Sequence, residues 1–511
     1  MPFEEMLNEL ARRRQKALAM GGADKLARRR AEGRLNARER LDLLLDPGSF
    51  TERGMFAAAI RPEQREKTPA DGKIAGFGRI DGRAVAVVAN DFTVLGASSS
   101  AINMKKIRHM KEVANARGLP LIFLGESSGA RMPDRMGAAG RAMLGQDPSE
   151  YQRLRRTPWV SALLGPCYGS STWYACMSDF VVMRKGAIMA VASPRVTALA
   201  INQPIDAEEL GGWRLHAETT GLVDVVTDTD EEAIAAVKRF LSYLPSHCNE
   251  PPPQMPVPPG AEAACAGILD LLPQSGKEVY DVRKIIGAIV DPGSMFEIKP
   301  RFGRSAVTAL ARLGGHSLGI IANNPLYKGG AIDVDACRKV TSFLVLCDSF
   351  NLPIVMLVDQ PGFLIGLEGE RQAAPGKIIN WMNALSLVTM PKIAIILRKS
   401  YGQAYLNMGG GRNSDEVACW PSADLGFMEP AVGVNVLHNI READDPERYR
   451  ALAAELARDT SAWALAELYE AQAVIDPRET RAFLAAALAI HMPRMTNGVG
   501  RHLLSNWPTS Y

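Results

Sequence analysis

At 511 residues, 47% hydrophobic and 23% charged, the chain is globular in composition and long enough for two domains of about 200–250 residues each. A formal net charge of +3, with 59 basic residues set among 56 acidic ones, argues against nucleic acid as a main partner. No run of 18 apolar residues and no C-x-x-C pair occurs, so no transmembrane helix, zinc ribbon or thioredoxin-like site is expected. Seven scattered cysteines and the early acids of "MPFEEMLNEL" predict a cytoplasmic protein without membrane insertion.

In chain order, the arginine-rich stretches "ARRRQKA" and "KLARRRAEGR" predict solvated helical faces. "AVAVVAN" (84–90), "LPLIFLGE" (119–126) and "VSALLG" (160–165) are short apolar runs bounded by turn residues, as buried strands should be. The first two flank "SSAINMKKIRHMKEVANARG", with apolar residues at helical spacing and Gly118 as its stop. "CNEPPPQMPVPPG" cannot sustain a helix or a central strand, and predicts a linker over 251–260 between domains 1–250 and 261–511. Beyond it "SLGIIAN", "DVDACRKVTSFLVLCDSFN" and "LPIVMLVD" repeat the strand, helix and strand of the first half. Pro120 and Pro353, Pro158 and Pro391, and Gly169 and Gly402 are each 233 positions apart. One register kept across three motifs marks an internal duplication. Strands alternating with helices predict an α/β fold with a largely parallel sheet in each half.

The chemistry is expected where small residues follow strands. "GPCYGSSTWYA" holds Gly169 and Ser170, and its counterpart "KSYGQAYLNMGGG" holds Gln403 and Ala404. Adjacent free N–H groups at such a helix start can hold an oxyanion. The preceding loops, "GESSGARMPD" with Ser128, Gly129 and Ala130 and "DQPGFLIG" with Pro361, Gly362 and Phe363, should face the same cavities from neighbouring strand ends. None of the seven histidines falls in these loops or at a metal-ligand spacing, and no P-loop or G-x-S-x-G elbow occurs. No metal is predicted. Glu126 and Asp359 end corresponding strands and read as turn caps before they read as acids or bases. Backbone donors without a side-chain base suit chemistry in which the substrates supply the base.

The ordered set "DFTVLGAS", "SGAR", "GPCYGSSTWY" and "DAEELGGWRLHAETTGLVD" resembles the amino half of acyl-CoA carboxylase carboxyltransferase (β) subunits. "DQPGFLIG", "MPKIAIILRKSYGQAYLNM" and "WPSADLGFM" resemble the carboxyl half, with the propionyl-CoA carboxylase branch nearest. The resemblance implies tandem crotonase-like (ClpP/crotonase) ββα-superhelix domains, acyl-CoA on the amino half and carboxybiotin on the carboxyl half. It also implies dimers assembled into a hexamer, and a biotin carboxylase and biotin-carrier α subunit as partner, since "NMKK" is a poor match to a biotinylation motif. Biotin is then the cofactor, brought by that partner. By position, Gly169 and Ser170 would hold the enolate oxygen, and Gln403 and Ala404 the biotin ureido oxygen. Ser128, Gly129, Ala130, Pro361, Gly362, Phe363, Tyr405 and Leu406 would line the substrate. The family usually has glycine at positions 128, 170 and 403, and propionyl-type members often carry aspartate at 406. An apolar Leu406 is expected to favour another or a longer acyl group. The alternatives are an acyl-CoA decarboxylase α subunit and a non-catalytic CoA-binding assembly scaffold.

Overall fold

The computed structural model describes residues 2–142, 151–273, 275–276 and 278–508. The chain forms two compact units, one running to Ser242 with Ser246–Cys248, the other comprising Tyr243–Pro245 and Asn249–Trp507. The first unit's strands are β1 (Thr51–Arg53), β2 (Lys73–Ile80), β3 (Arg83–Asn90), β4 (Leu121–Ser127), β5 (Trp159–Tyr168), β6 (Phe180–Arg184), β7 (Ile188–Ala190) and β8 (Val225–Thr227). They form one sheet in the order β1-β2-β3-β4-β5-β6-β8, with β7 pairing the end of β5. The pairs β1/β2 and β2/β3 are antiparallel, and the remaining pairs are parallel. Strand β2 escaped the sequence pattern because Gly76 and Gly78 interrupt its apolar run. Both glycines are needed for close approach: a Cβ on Gly76 would lie 2.3 Å from Thr51 O, and one on Gly78 2.7 Å from Leu45 Cδ1.

The second unit repeats this plan with β9 (Phe296–Ile298), β10 (Ala306–Leu313), β11 (His316–Asn323), β12 (Ile354–Gln360), β13 (Lys392–Tyr401), β14 (Glu416–Cys419), β15 (Asp424–Gly426) and β16 (Ala473–Val474). Its order is β9-β10-β11-β12-β13-β14-β16, with β15 pairing β13. The duplication reaches individual hydrogen-bond registers. Leu121 faces Ala86 and Trp159, and Ile354, 233 positions on, faces Gly319 and Lys392. The irregularity between Gly125 and Ser127 recurs between Val358 and Gln360. Residues 251–258 carry no regular element, and Met255 N–H donates to Gly315 O at the β10–β11 turn.

In the first unit the helix Ala101–Arg117 starts on a Ser100–Asn103 capping box and stops at Gly118, in the left-handed region at φ 72°. Its Met104, Ile107, Met110 and Ala114 pack on Leu121, Phe123 and Trp159 of the sheet. Phe123 stacks on Tyr174 with ring centroids 5.0 Å apart. The matching helix, Val334–Ser349, starts on Asp333, whose side chain accepts from Ala336 N–H. Each of these helices buries a lysine that donates to backbone carbonyls outside the helix. Lys106 reaches Gly54 O and Ala70 O, and Lys339, its counterpart at the same 233-residue spacing, reaches Phe302 O and Ala306 O. Lys106 is the second lysine of "NMKK", so burial as well as sequence makes that motif unsuitable for biotin.

Burial lowers Lys106 to about 8 and Lys339 to about 7, and does the same to Lys73, held on Ala97 O, at about 7. The folded state prefers these amines neutral, whereas the unfolded chain keeps ordinary lysines. Unfolding therefore takes up protons from about pH 7 upward to the ordinary lysine range, and stability rises with pH in that window. The expected result is a higher urea midpoint at pH 8.5 than at pH 7, with the rise reduced in Lys339→Met. A flat wild-type profile would contradict neutral burial.

Candidate active site

Each unit places its two predicted loops at the carboxyl ends of neighbouring parallel strands. In the first, β5 runs to Tyr168 and turns at Gly169, with φ 63° and ψ −121°, into the helix Ser170–Met177. A side chain is strained at that φ, so the turn requires glycine. The helix is secured from within: Thr172 and Trp173 N–H donate to Gly169 O, and the Thr172 hydroxyl donates to Cys167 O and Ala190 O. That leaves the N–H groups of Gly169 and Ser170 without an acceptor among the described residues. Ser170 is not at positive φ, so serine in place of glycine keeps the donor. Its hydroxyl pairs with Ser99 Oγ at 2.8 Å.

In the second unit β13 turns at Gly402, with φ 64°, into the short helix Ala404–Asn407. Gly402 N–H is occupied by Gly426 O of β15 at 3.0 Å, so the free pair is Gln403 and Ala404, whose N–H groups have no acceptor among the described residues. Gln403 sits at φ −65° and ψ −17°, an ordinary conformation for any residue. Its side chain is exposed, Ala404 is buried, and Tyr405 and Leu406 are half-buried behind them. Tyr405 packs against Gly410 and Leu406 against Gly411: a Cβ there would come within 2.2 Å and 2.4 Å of the two side chains.

The neighbouring loops are equivalent as well. Ser99 N–H donates to Gly129 O and Arg131 N–H to Ser99 O, matched by Ile332 N–H to Gly362 O and Leu364 N–H to Ile332 O. Gly129 and Gly362 sit at φ 97° and 124°. The loops touch the donor turns, since a Cβ on Gly129 would lie 3.6 Å from Tyr168 Cβ and one on Gly362 4.0 Å from Tyr401 O. Ser128 and Gly129 have spent their N–H groups on Gly96 O and Ser127 Oγ; Gly129 is buried, and Ser128 and Ala130 are the exposed members of the loop. Pro361 and half-buried Gly362 and Phe363 shape the corresponding loop.

Glu126 and Asp359 are neither caps nor free acids. Glu126 is fully buried, and Oε2 accepts from Arg29 and Arg40 at 2.7 Å each, while Arg40 also bonds Asp230. Asp359 is held by Arg398 Nε at 2.9 Å. Arg29 also corrects the expectation of a solvated arginine face: it turns inward and is 7% exposed, because a fully buried carboxylate needs a partner. Cys167, beside the turn, is buried and its thiol is pushed up by desolvation, so it does not act as a nucleophile. Sequence reasoning missed Ser99 and the buried lysines. The run Ser98–Ser100 signalled a polar turn, but its bond to residue 170 spans 71 positions.

Two α/β units carry, at equivalent turns, pairs of backbone N–H groups without an acceptor among the described residues, an arrangement able to hold an anionic oxygen. The carboxyl transferase domain family matches residues 28–499, and the chain belongs to it: it is a carboxyltransferase subunit of the acyl-CoA carboxylase type. It is 34% identical over 501 residues to a propionyl-CoA carboxylase carboxyltransferase subunit of Haloferax mediterranei, covering 96% of each chain. It is also 34% identical over 522 residues to the methylmalonyl-CoA carboxyltransferase 12S subunit of Propionibacterium freudenreichii subsp. shermanii, covering 99% of this chain and 98% of that one. A transcarboxylase 12S crystal structure, described as a hexamer with methylmalonyl-CoA bound, superposes with a TM-score of 0.88 at 33% identity over 96% of each chain. The duplicated crotonase-like fold is shared with that structure.

Proposed function

We propose that this chain moves a carboxyl group between biotin, carried on a partner subunit, and an acyl-CoA. The observation that carries the reading is the pair of unfilled N–H turns at the same place in both repeats, Gly169–Ser170 and Gln403–Ala404. Two donors aimed at one point fit the oxygen of a thioester enolate in the first unit and the ureido oxygen of biotin in the second. When bound, biotin would supply the carboxyl group and, as its ureido anion, the base. The chain's own contribution is donation. Gly169 and Ser170 N–H polarise the thioester carbonyl, making its α-proton more acidic and holding the enolate oxygen. Gln403 and Ala404 N–H stabilise negative charge on the other partner of the transfer. Ala130, Pro361, Gly362 and Phe363 line the approaches, with Ser128 and Gly129 fixing one loop, while Tyr405 and Leu406 shape the pocket behind Gln403.

A hexamer built on dimers, in line with the hexamer assembly of the 12S structure, and an α subunit carrying biotin carboxylase and biotin carrier belong to this reading. The test is exchange of labelled carboxyl between carboxybiotin on the partner and a panel of acyl-CoAs. Exchange supports the assignment. Binding of CoA esters without exchange for any of them would overturn it in favour of a scaffold, and net release of CO2 would mark a decarboxylase. Gln403→Pro gives a sharper check, because φ −65° already suits proline and its N–H has no acceptor to lose. Carboxyl exchange should fall about 10²-fold with the fold intact, read by single-turnover kinetics and circular dichroism.

A further inference from the structure

Ser99 ties the donor turn of the first unit to a cation. Its Oγ meets Ser170 Oγ at 2.8 Å, and its carbonyl oxygen accepts from Arg135 Nε at 3.3 Å. Arg135 is half-buried, and among the described residues it makes no ion pair. The carboxylates that could have served it are committed elsewhere: Asp71 to Arg131 at 2.6 Å, and Asp134 to Arg61 at 3.2 Å. Partial burial holds the Arg135 guanidinium below its ordinary value.

An open, largely apolar pocket of about 290 Å³ is lined by Tyr151, Trp173, Cys176 and Met177. The last three share one face of the helix Ser170–Met177, so the cavity begins one turn from the Ser170 donor. Tyr151 lies within electrostatic reach of Arg135. Apolar walls one turn from the Ser170 donor, and a guanidinium tied to the same turn through Ser99 with no ion pair among the described residues, suit an acyl group that also carries a carboxylate. The phosphates of CoA lie at the far end of the pantetheine arm from the thioester and do not compete for a site this near the donor turn.

We propose that Arg135 is a binding residue for a carboxylate on the acyl group held at the Gly169–Ser170 turn. This deepens the acyl-CoA reading and rests on it. The carboxylate has two possible sources, the carboxyl group transferred to the α-carbon or one already present at the distal end of the acyl chain.

The test measures affinity by calorimetry for wild type, Arg135→Gln and Arg135→Lys in the assembled complex. The ligands are methylmalonyl-CoA, succinyl-CoA and glutaryl-CoA, with propionyl-CoA, butyryl-CoA and free CoA as neutral-acyl and acyl-free controls. Arg135→Gln should weaken one carboxylated class about tenfold or more and leave the controls within about twofold, with Arg135→Lys intermediate. Loss confined to methylmalonyl-CoA assigns the transferred carboxyl group, and loss on succinyl- or glutaryl-CoA assigns a distal carboxylate. Equal loss on every ligand, or none on the carboxylated ones, overturns the proposal. These affinities do not depend on turnover, so failure of Arg135 as an anion site is separable from failure of carboxyl exchange.

Discussion

Ser170→Pro should lower carboxyl transfer about 10²- to 10³-fold, a loss of roughly 3–4 kcal/mol in transition-state stabilisation, while the protein stays folded. The structure makes this an unusually clean deletion. Ser170 is the first residue of its helix, where proline is well tolerated because the N–H has no intrahelical partner. The preceding residue is Gly169, without a Cβ to meet the proline ring and with ψ −121°, well away from the helical region. What disappears is one N–H that no described residue accepts, together with a hydroxyl paired to Ser99. Ser170→Ala separates the two, since it removes only the hydroxyl and should cost a few-fold. Stopped-flow or isotope-exchange rates measured alongside thermal melting decide the matter. Full activity in a folded Ser170→Pro protein would remove Ser170 from the oxyanion site.

Glu126→Gln should destabilise the first unit by about 3–5 kcal/mol, because it leaves Arg29 charged and buried without its carboxylate and Arg40 with Asp230 alone. For a unit of this size that is a fall in melting temperature of roughly 6–20 °C, read by calorimetry. The same variant tests the catalytic alternative. A general base replaced by an amide would abolish turnover in a protein of normal stability, whereas the buried ion pair predicts the reverse: a weaker fold whose surviving molecules turn over. The local geometry adds a second penalty for change, since a Cβ on Gly165 would come within 2.2 Å of Glu126 Oε1. Carboxylate, arginines and the start of the donor loop are packed as one block.

Much of this protein was legible in its residues. The apolar runs at 84–90, 119–126 and 160–165 read as buried strands and Gly118 as a helix stop, and a repeat spacing of 233 recurs in the structure down to the strand registers of Leu121 with Ala86 and of Ile354 with Gly319. The positions of both strand-to-helix turns were legible for the same reason, because small residues mark the end of a buried strand and the start of a helix. Local pattern carries such information, since strand, turn and helix start are each decided within a few residues.

Partnership at long range is not written locally. The sequence placed Glu126 and Asp359 at strand ends, but only the folded chain brings Arg29 and Arg40 to the first and Arg398 to the second. It offered Gln403 and Ala404 as candidate donors, and only the pairing of β13 with β15 shows that the N–H of the neighbouring Gly402 is spent on Gly426. It offered Ser170 as a departure from glycine, and only the turn after β3 supplies Ser99 to hold its hydroxyl and Arg135 to follow. Which polar groups are left over depends on every other group that has already found a partner. That account closes only in three dimensions.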